Sequence, residues 1–288
     1  MTQAAQIDKM LRDLGHTDLK PVHGPNSDDQ PTQIIAPHEL TKNDVINFPM
    51  QKYIGHINYL QVSTRPDISR DLKILSKFPT KFGLPHIRWA KRIVRYLAST
   101  RTVGLTYRRV PHLIRSLIQV FTDASHASDP DTRRSITGIV IKLAGNTILW
   151  KNLFQRIVSH SSTESELMAL DLGATLSQYI KWLCEIFRLS SNTPLPVYVD
   201  NQATIILSSN PVQPGRNLHI HARYFYVRDL VTRKELIIVK IHTDDQLADI
   251  LVSFKSFETY HRLRTLLMNC AYVNTVDDKL AWITTYIM

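Results

Sequence analysis

An α/β fold with a mixed sheet, preceded by a mostly helical first half, follows from three features of the sequence. From Ile118 onward, three short β-type runs (IQVFTD, ITGIVIKL, NTILW) succeed one another, separated by a polar loop and by Gly145-Asn146, a hairpin signal. After them the pattern reads helix, strand, helices, strand, helix, an α/β order. Before them, apolar residues recur mainly at helical spacing.

Each element has a local reason. Residues 4–14 (AAQIDKMLRDL) form a short amphipathic helix, and 15–48, rich in Pro, Asn, Asp, Thr and Gly, a long linker. A helix near 53–62 stops at TRPD, because Pro66 forces Arg65 out of helical geometry. A second helix covers 67–77. In LPHIRWAKRIVRYLAST, Pro85 suits the first turn, and Ile87, Ala90, Val94 and Leu97 make a buried stripe. Past the three strands, QRIVSH is a candidate fourth. A long helix over about 163–189 puts Leu167, Leu170, Ala174, Ile180, Leu183 and Phe187 on one side. LPVYVD is a strand, NQATIILSS a short helix, 219–233 a helix and ELIIVKI a strand, and DDQLADIL begins a further helix.

At 288 residues, 43% hydrophobic and 21% charged, the chain can bury one large or two modest cores. Its two cysteines, Cys184 and Cys270, form no CxxC, which argues against a disulfide framework or zinc knuckle. His219 and His221 have no Cys or third His at ligand spacing. No apolar run is long enough to span a membrane, and the charged N-terminus lacks a signal-peptide core. The expectation is an intracellular protein, cytoplasmic or nuclear, neither secreted nor membrane-bound. The net charge of +10 is concentrated: residues 65–116 hold thirteen Lys/Arg against two acids. Within that block Arg88, Lys91, Arg92 and Arg95 recur along one helix face, a ridge suited to phosphates and hence to nucleic acid.

Four acids stand where strands end or helices begin. Asp123 ends the first strand, Glu166 lies early in the long helix, Asp200 ends LPVYVD, and Asp249 lies in DDQLADIL. Hard carboxylate oxygens converging from distant positions are the ligand set that Mg²⁺ prefers. Each acid also has a bland reading. Asp123 can cap a turn and Asp200 a helix. Ser161 with Glu164 and Thr163 with Glu166 both fit a capping box, and spacing leaves the two registers open. At the last helix Asp244 or Asp245 can cap, leaving Asp249 on the second turn.

The stretches KPVHGP, YIGHINYLQVSTRPDI, WAKRIVRYLASTRTVGLTY, FTDASHASDPDTRRSITGIV, SSTESELMAL, VYVDNQATIILSSNP and DDQLADIL, in this order, carry a specific resemblance. The chain resembles the C-terminal part of a copia-type (Pseudoviridae) retrotransposon Pol polyprotein, the end of reverse transcriptase followed by ribonuclease H. The resemblance implies a ribonuclease H-like mixed sheet over 116–252, preceded by a helical thumb/connection remnant over 1–110 and followed by a divergent tail over 253–288. It implies Asp123, Glu166, Asp200 and Asp249 as metal ligands, with Glu164 as the cap. It also implies two Mg²⁺ ions, with Mn²⁺ as a substitute, and hydrolysis of the RNA strand of an RNA–DNA hybrid. His242 is the one candidate for the mobile histidine that such enzymes often carry before the last acid. The partners implied are the hybrid, gripped by the basic 65–116 segment, and an intact reverse transcriptase. There is no Tyr-x-Asp-Asp motif, so no polymerase activity is expected. After DDQLADIL the chain reads LVSFKSF where the family has Thr-Lys-Pro, and His221 and Phe225 replace an Asp and a His. These departures leave a second reading open: a remnant that binds nucleic acid and cleaves nothing.

Overall fold

The computed structural model describes residues 1–16, 19–25, 47–109, 117–189, 194–209 and 218–270, with backbone only for 209 and 218–224. Most of the expected linker, residues 110–116 and the end of the tail (271–288) lie outside the described residues. Among the described residues, four helices precede the sheet: α1 (Ala4–Asp13), α2 (Met50–Ser63), α3 (Ser69–Leu75) and α4 (Leu84–Ser99). Ile87, Ala90, Val94 and Leu97 on α4 are all buried, as the stripe predicts. The helix expected over 67–77 is a 3-10 turn, Pro66–Ile68, followed by the short α3.

The strands are β1 (Ile118–Ser125), β2 (Ile136–Leu143), β3 (Asn146–Phe154), β4 (Leu195–Val199) and β5 (Leu236–Lys240), in the order β3-β2-β1-β4-β5. The first three pair antiparallel, while β1–β4 and β4–β5 pair parallel. Helices α5 (Ser162–Ile186), α6 (Gln202–Ser209) and α7 (Leu218–Thr232) connect the strands, and α8 (Phe257–Met268) follows them. This is the mixed sheet that the sequence pattern predicts, in the ribonuclease H-like form that the resemblance implies. Among the described residues, no helix is long and apolar enough to cross a membrane.

Several local expectations are corrected. The β2–β3 turn centres on Ala144 and Gly145, at φ 48° and 73°, one residue before the expected pair, and Asn146 already belongs to β3. Two consecutive positive-φ residues give the turn whose twist matches a hairpin. QRIVSH is loop: Gln155 N donates to Ser135 O at 2.8 Å, its Nε2 donates to Thr137 Oγ1 and Ser165 O, and the chain then leaves the sheet. Phe187 lies past the end of α5, is 71% exposed and leaves the expected stripe. DDQLADIL forms two 3-10 turns, Thr243–Asp245 and Leu247–Leu251, not an α-helix.

The sheet buries both faces. On one, Val120, Ile139 and Ile141 pack with Leu167, Leu170 and Ala174 of α5. On the other, Phe121, Ile136 and Val140 join a cluster with Leu247, Ile250 and Leu251, with Ile57, Trp89 and Leu97 from the helical half, and with Leu263 and Leu267 of α8. The described helices before the sheet therefore share one core with it. Alternation along β1 dictates this, because adjacent side chains point to opposite faces. The segment 253–270, assigned to the tail from sequence, contributes α8 to that core.

His86 ties α4 to its start. Its Nδ1 accepts from Gly83 N at 3.2 Å, and its ring lies 4.2 Å from Phe78. Burial, helped by the charge of Lys77, lowers its pKa to about 4. Since the unfolded ring titrates near 6.5, the stability held by the neutral ring is complete above that value and is lost as pH falls towards 4. Between pH 7 and pH 5 this amounts to about 2 kcal/mol. Urea unfolding at the two pH values is expected to show that much less acid sensitivity in His86→Asn, whose side-chain oxygen can still accept from Gly83 N. Equal sensitivity in both proteins removes His86 as the cause.

Candidate metal centre

The parallel register of β1 and β4 explains why the first and third acids meet. Val120 is level with Val197 and Phe121 with Tyr198, so three residues on, Asp123 and Asp200 emerge side by side at the carboxyl ends of neighbouring strands. Helix α5 brings the second acid. Ser161 is its N-cap, accepting from Glu164 N at 3.1 Å, and Glu164 accepts from His160 N at 2.6 Å. The first capping register is therefore the real one. Glu164 serves the helix start and Glu166 turns to the sheet, where its Oε1 accepts from Ala124 N at 3.3 Å.

The same division of labour recurs at the other two acids. Asn201, not Asp200, accepts from Thr204 N at 3.1 Å and caps α6. Gln246, not Asp244 or Asp245, accepts from Ala248 N at the turn carrying Asp249, which lies in its first turn. At each of these starts a neighbouring side chain satisfies the backbone donors, leaving the acid for something else. Gln246, fully buried, also donates to Thr122 O at 3.0 Å and Tyr198 O at 3.2 Å, pinning this turn across the ends of β1 and β4. Gly138, paired with Asp123 across β2, leaves the space that Ala248 and Val252 occupy, since a Cβ there would meet each at 2.7 Å.

Asp123, Glu166 and Asp200 each place a carboxylate oxygen within 4.8 Å of the others. Asp123 and Glu166 are 6% and 7% exposed, and Asp200 is half-buried. Burial, then the charges of Asp249 and Asp200, push the Asp123 carboxyl above the ordinary range. Burial, then Asp123 and Asp200, do the same for Glu166. Acids this close and this dry hold a proton or a cation between them. Glu166 Oε2 is buried with no hydrogen-bond partner, so the set fits a hard cation with one ligand oxygen still uncommitted.

Asp249 stands apart from this trio. Its charge helps to raise the Asp123 carboxyl, but Lys255 ion-pairs with Asp249 and Ser253 donates to it. Neither residue is visible as a site residue in the sequence, since LVSFKSF reads there only as a departure from a motif. Gln246 was equally hidden, although a polar residue before an apolar turn is a capping signal. His242 is 75% exposed in its side chain, and its Nδ1 accepts from Asp244 N at 3.3 Å, so it is tied to the Thr243–Asp245 turn. The side chains of His219 and His221 lie outside the described residues.

The basic ridge forms in part. Arg88 and Lys91 are exposed, whereas Arg92 and Arg95 are half-buried. Lys91 lies over the Phe48 ring at 5.7 Å, and Arg95 donates to Lys20 O at 2.8 Å. Elsewhere in the 65–116 block, Arg65 is buried against Asp67, Lys77 pairs with Asp129 and Asp131, and Arg101 pairs with Asp8. Part of the local charge excess therefore serves folding.

No protein-family model matches the chain. It is 29% identical over 253 residues, 87% of its length, to the Retrovirus-related Pol polyprotein from transposon TNT 1-94 of Nicotiana tabacum. It is 33% identical over 201 residues, 69% of its length, to the corresponding polyprotein from transposon RE1 of Arabidopsis thaliana. The chain spans 19% and 13% of the lengths of these two relatives. Among solved structures, LC11-RNase H1 in complex with an RNA/DNA hybrid aligns over 47% of this chain and 93% of its own. The identity is 16% and the TM-score 0.34. By its ordered motifs and these relatives, the chain belongs to the copia-type retrotransposon Pol polyproteins, covering the end of reverse transcriptase and the ribonuclease H-like domain.

Proposed function

We propose that the chain is a ribonuclease H-type nuclease that hydrolyses the RNA strand of RNA–DNA hybrids with the help of a divalent cation. The observation that carries this reading is the buried convergence of Asp123, Glu166 and Asp200, with Glu166 Oε2 unpartnered. These three residues would hold the cation, Mg²⁺ by the hardness of the oxygen set, with Mn²⁺ as a substitute. When bound, such an ion supplies Lewis-acid activation and neutralises charge at the phosphodiester. The chain's own residues do the rest. Glu164, Asn201 and Gln246 hold the helix and turn starts, so that the acids need not. Gln246 fixes the strand ends on which Asp123 and Asp200 stand. Arg88 and Lys91, with Arg92 and Arg95 beside them, offer cationic groups to a phosphate backbone. An intact reverse transcriptase is a fitting partner, because it supplies the hybrid.

The test is a labelled RNA–DNA hybrid incubated with the full chain and Mg²⁺, beside Asp123→Asn. Cleavage is expected from the wild type, with a fall of at least about 100-fold in the variant, the upper end of losses seen when even an outer partner of a metal ligand is removed. Salt-sensitive binding without product in the wild type supports the binding-only reading instead.

A further inference from the structure

The acidic cluster already contains a positive charge of its own. Asp249 is as buried as Asp123, each 6% exposed, and the two carboxyls are neighbours. Both oxygens of Asp249 are nonetheless engaged within the chain, Oδ2 by the Lys255 ammonium and Oδ1 by the Ser253 hydroxyl. Lys255 is no surface charge that salt can screen away, since its side chain is 17% exposed. It reaches Asp249 from the short link between the Leu247–Leu251 turn and the Ser256 cap of α8, two elements packed in the shared core. The cluster is therefore lopsided. The Asp123–Glu166–Asp200 side has an unpartnered buried oxygen, and the ammonium nearest it in the chain's bonding, Lys240, is spent on the Asp200 main-chain carbonyl, while the Asp249 side has its charge balanced.

We propose that Lys255 is a positioning residue that stands as the second positive charge of this site. The site then takes one divalent cation, at Asp123, Glu166 and Asp200, and the Lys255 ammonium occupies the side where a second ion would need Asp249. This departs from the two ions that the family resemblance implies. A second divalent ion held by Asp249 would have to displace a buried ammonium or sit against it in a poorly screened environment, and both are unfavourable. The ammonium supplies charge and three hydrogen-bond donors on a flexible stem, so it balances Asp249 without bringing a ligand sphere. The inference rests on the reading of the trio as a metal site.

The experiment counts Mn²⁺ bound to the full chain by equilibrium dialysis and by electron paramagnetic resonance of the free ion. Asp123→Asn serves as the blank for adventitious sites, and circular dichroism checks folding. The wild type is expected to bind one Mn²⁺ above the blank, Lys255→Met two, and Lys255→Arg, which keeps the charge, one. A wild type that binds two overturns the inference alone, whether or not Lys255→Met folds. A folded Lys255→Met that still binds one also overturns it. No Mn²⁺ above the blank in the wild type overturns the metal reading of the trio and the inference together.

Discussion

Arg65→Ala is expected to cost about 3–5 kcal/mol of stability, the scale on which removing one member of a buried ion pair leaves the other charge uncompensated. Arg65 and Asp67 are fully buried and joined by two bonds, Nε to Oδ1 at 3.0 Å and Nη2 to Oδ2 at 2.9 Å. The remaining guanidinium donors reach Thr100 O at 3.2 Å and Thr100 Oγ1 at 2.8 Å. Tyr96 donates to Asp67 at 2.6 Å and accepts from Arg264 of α8 at 3.0 Å, while Tyr260 of α8 donates to Asp67 O at 3.2 Å. The network thus sews the Pro66 turn, α4 and α8 together. Burial alone would raise the Asp67 carboxyl, but Arg65, with help from the Tyr96 hydroxyl and the Arg264 charge, outweighs it and holds the carboxyl below its usual value. Its contribution is therefore present above the ordinary carboxylate range and is lost as pH falls through its lowered value. Urea denaturation at pH 7 should show the loss in Arg65→Ala and much of it recovered in Arg65→Met/Asp67→Leu, where both charges are gone. A cost below about 1 kcal/mol for the single variant would mean that the network is not what holds these elements.

Gly173→Val is expected to damage both stability and cation binding. A Cβ at Gly173 would stand 2.3 Å from Thr122 Cγ2 and 3.6 Å from Val120 Cγ1, so α5 lies on β1 only because residue 173 has no side chain. Thr122 is fully buried and precedes Asp123. Glu166 lies seven residues before Gly173, about two helical turns, and so on the same side of α5. Lifting the helix by the width of a side chain moves Glu166 away from Asp123. Overpacking of this kind costs about 1–3 kcal/mol, and valine belongs at the upper end because its branch at Cβ cannot swing aside. Mn²⁺ affinity is expected to fall by about 10–100-fold, as for other losses of ligand positioning. Thermal melting and a Mn²⁺ titration on the same samples check both. Unchanged Mn²⁺ affinity in a folded variant would show that Glu166 is not held through this contact.

Much of the architecture was legible because short apolar strands and amphipathic helices carry their periods openly. The exceptions share a cause. QRIVSH has strand composition, but after Gln155, whose side-chain amide is taken by Thr137 and Ser165, the chain turns away from the sheet towards the start of α5. Phe187 has the spacing of a core residue but falls where α5 has already ended. For the acids, the sequence gives positions but not employment. Whether Glu164 or Glu166 serves the helix start depends on which one the sheet draws inward, a matter of tertiary packing. Gln246 and Lys255 were hidden for the same reason, since each acts on a residue that only the fold brings near.

The core shared by the sheet and the helices on either side of it in the sequence fixes how such a chain can be cut. Phe121, Ile136 and Val140 on one face of the sheet are covered by residues from both ends of the sequence, Trp89 and Leu97 before it and Leu263 and Leu267 after it. A fragment trimmed to 116–252 would keep the Leu247–Leu251 turn on that face but lose the cover from α4 and α8, and an apolar surface bared in this way promotes association. A piece meant to keep that face covered has to carry α4 and α8 along with the sheet.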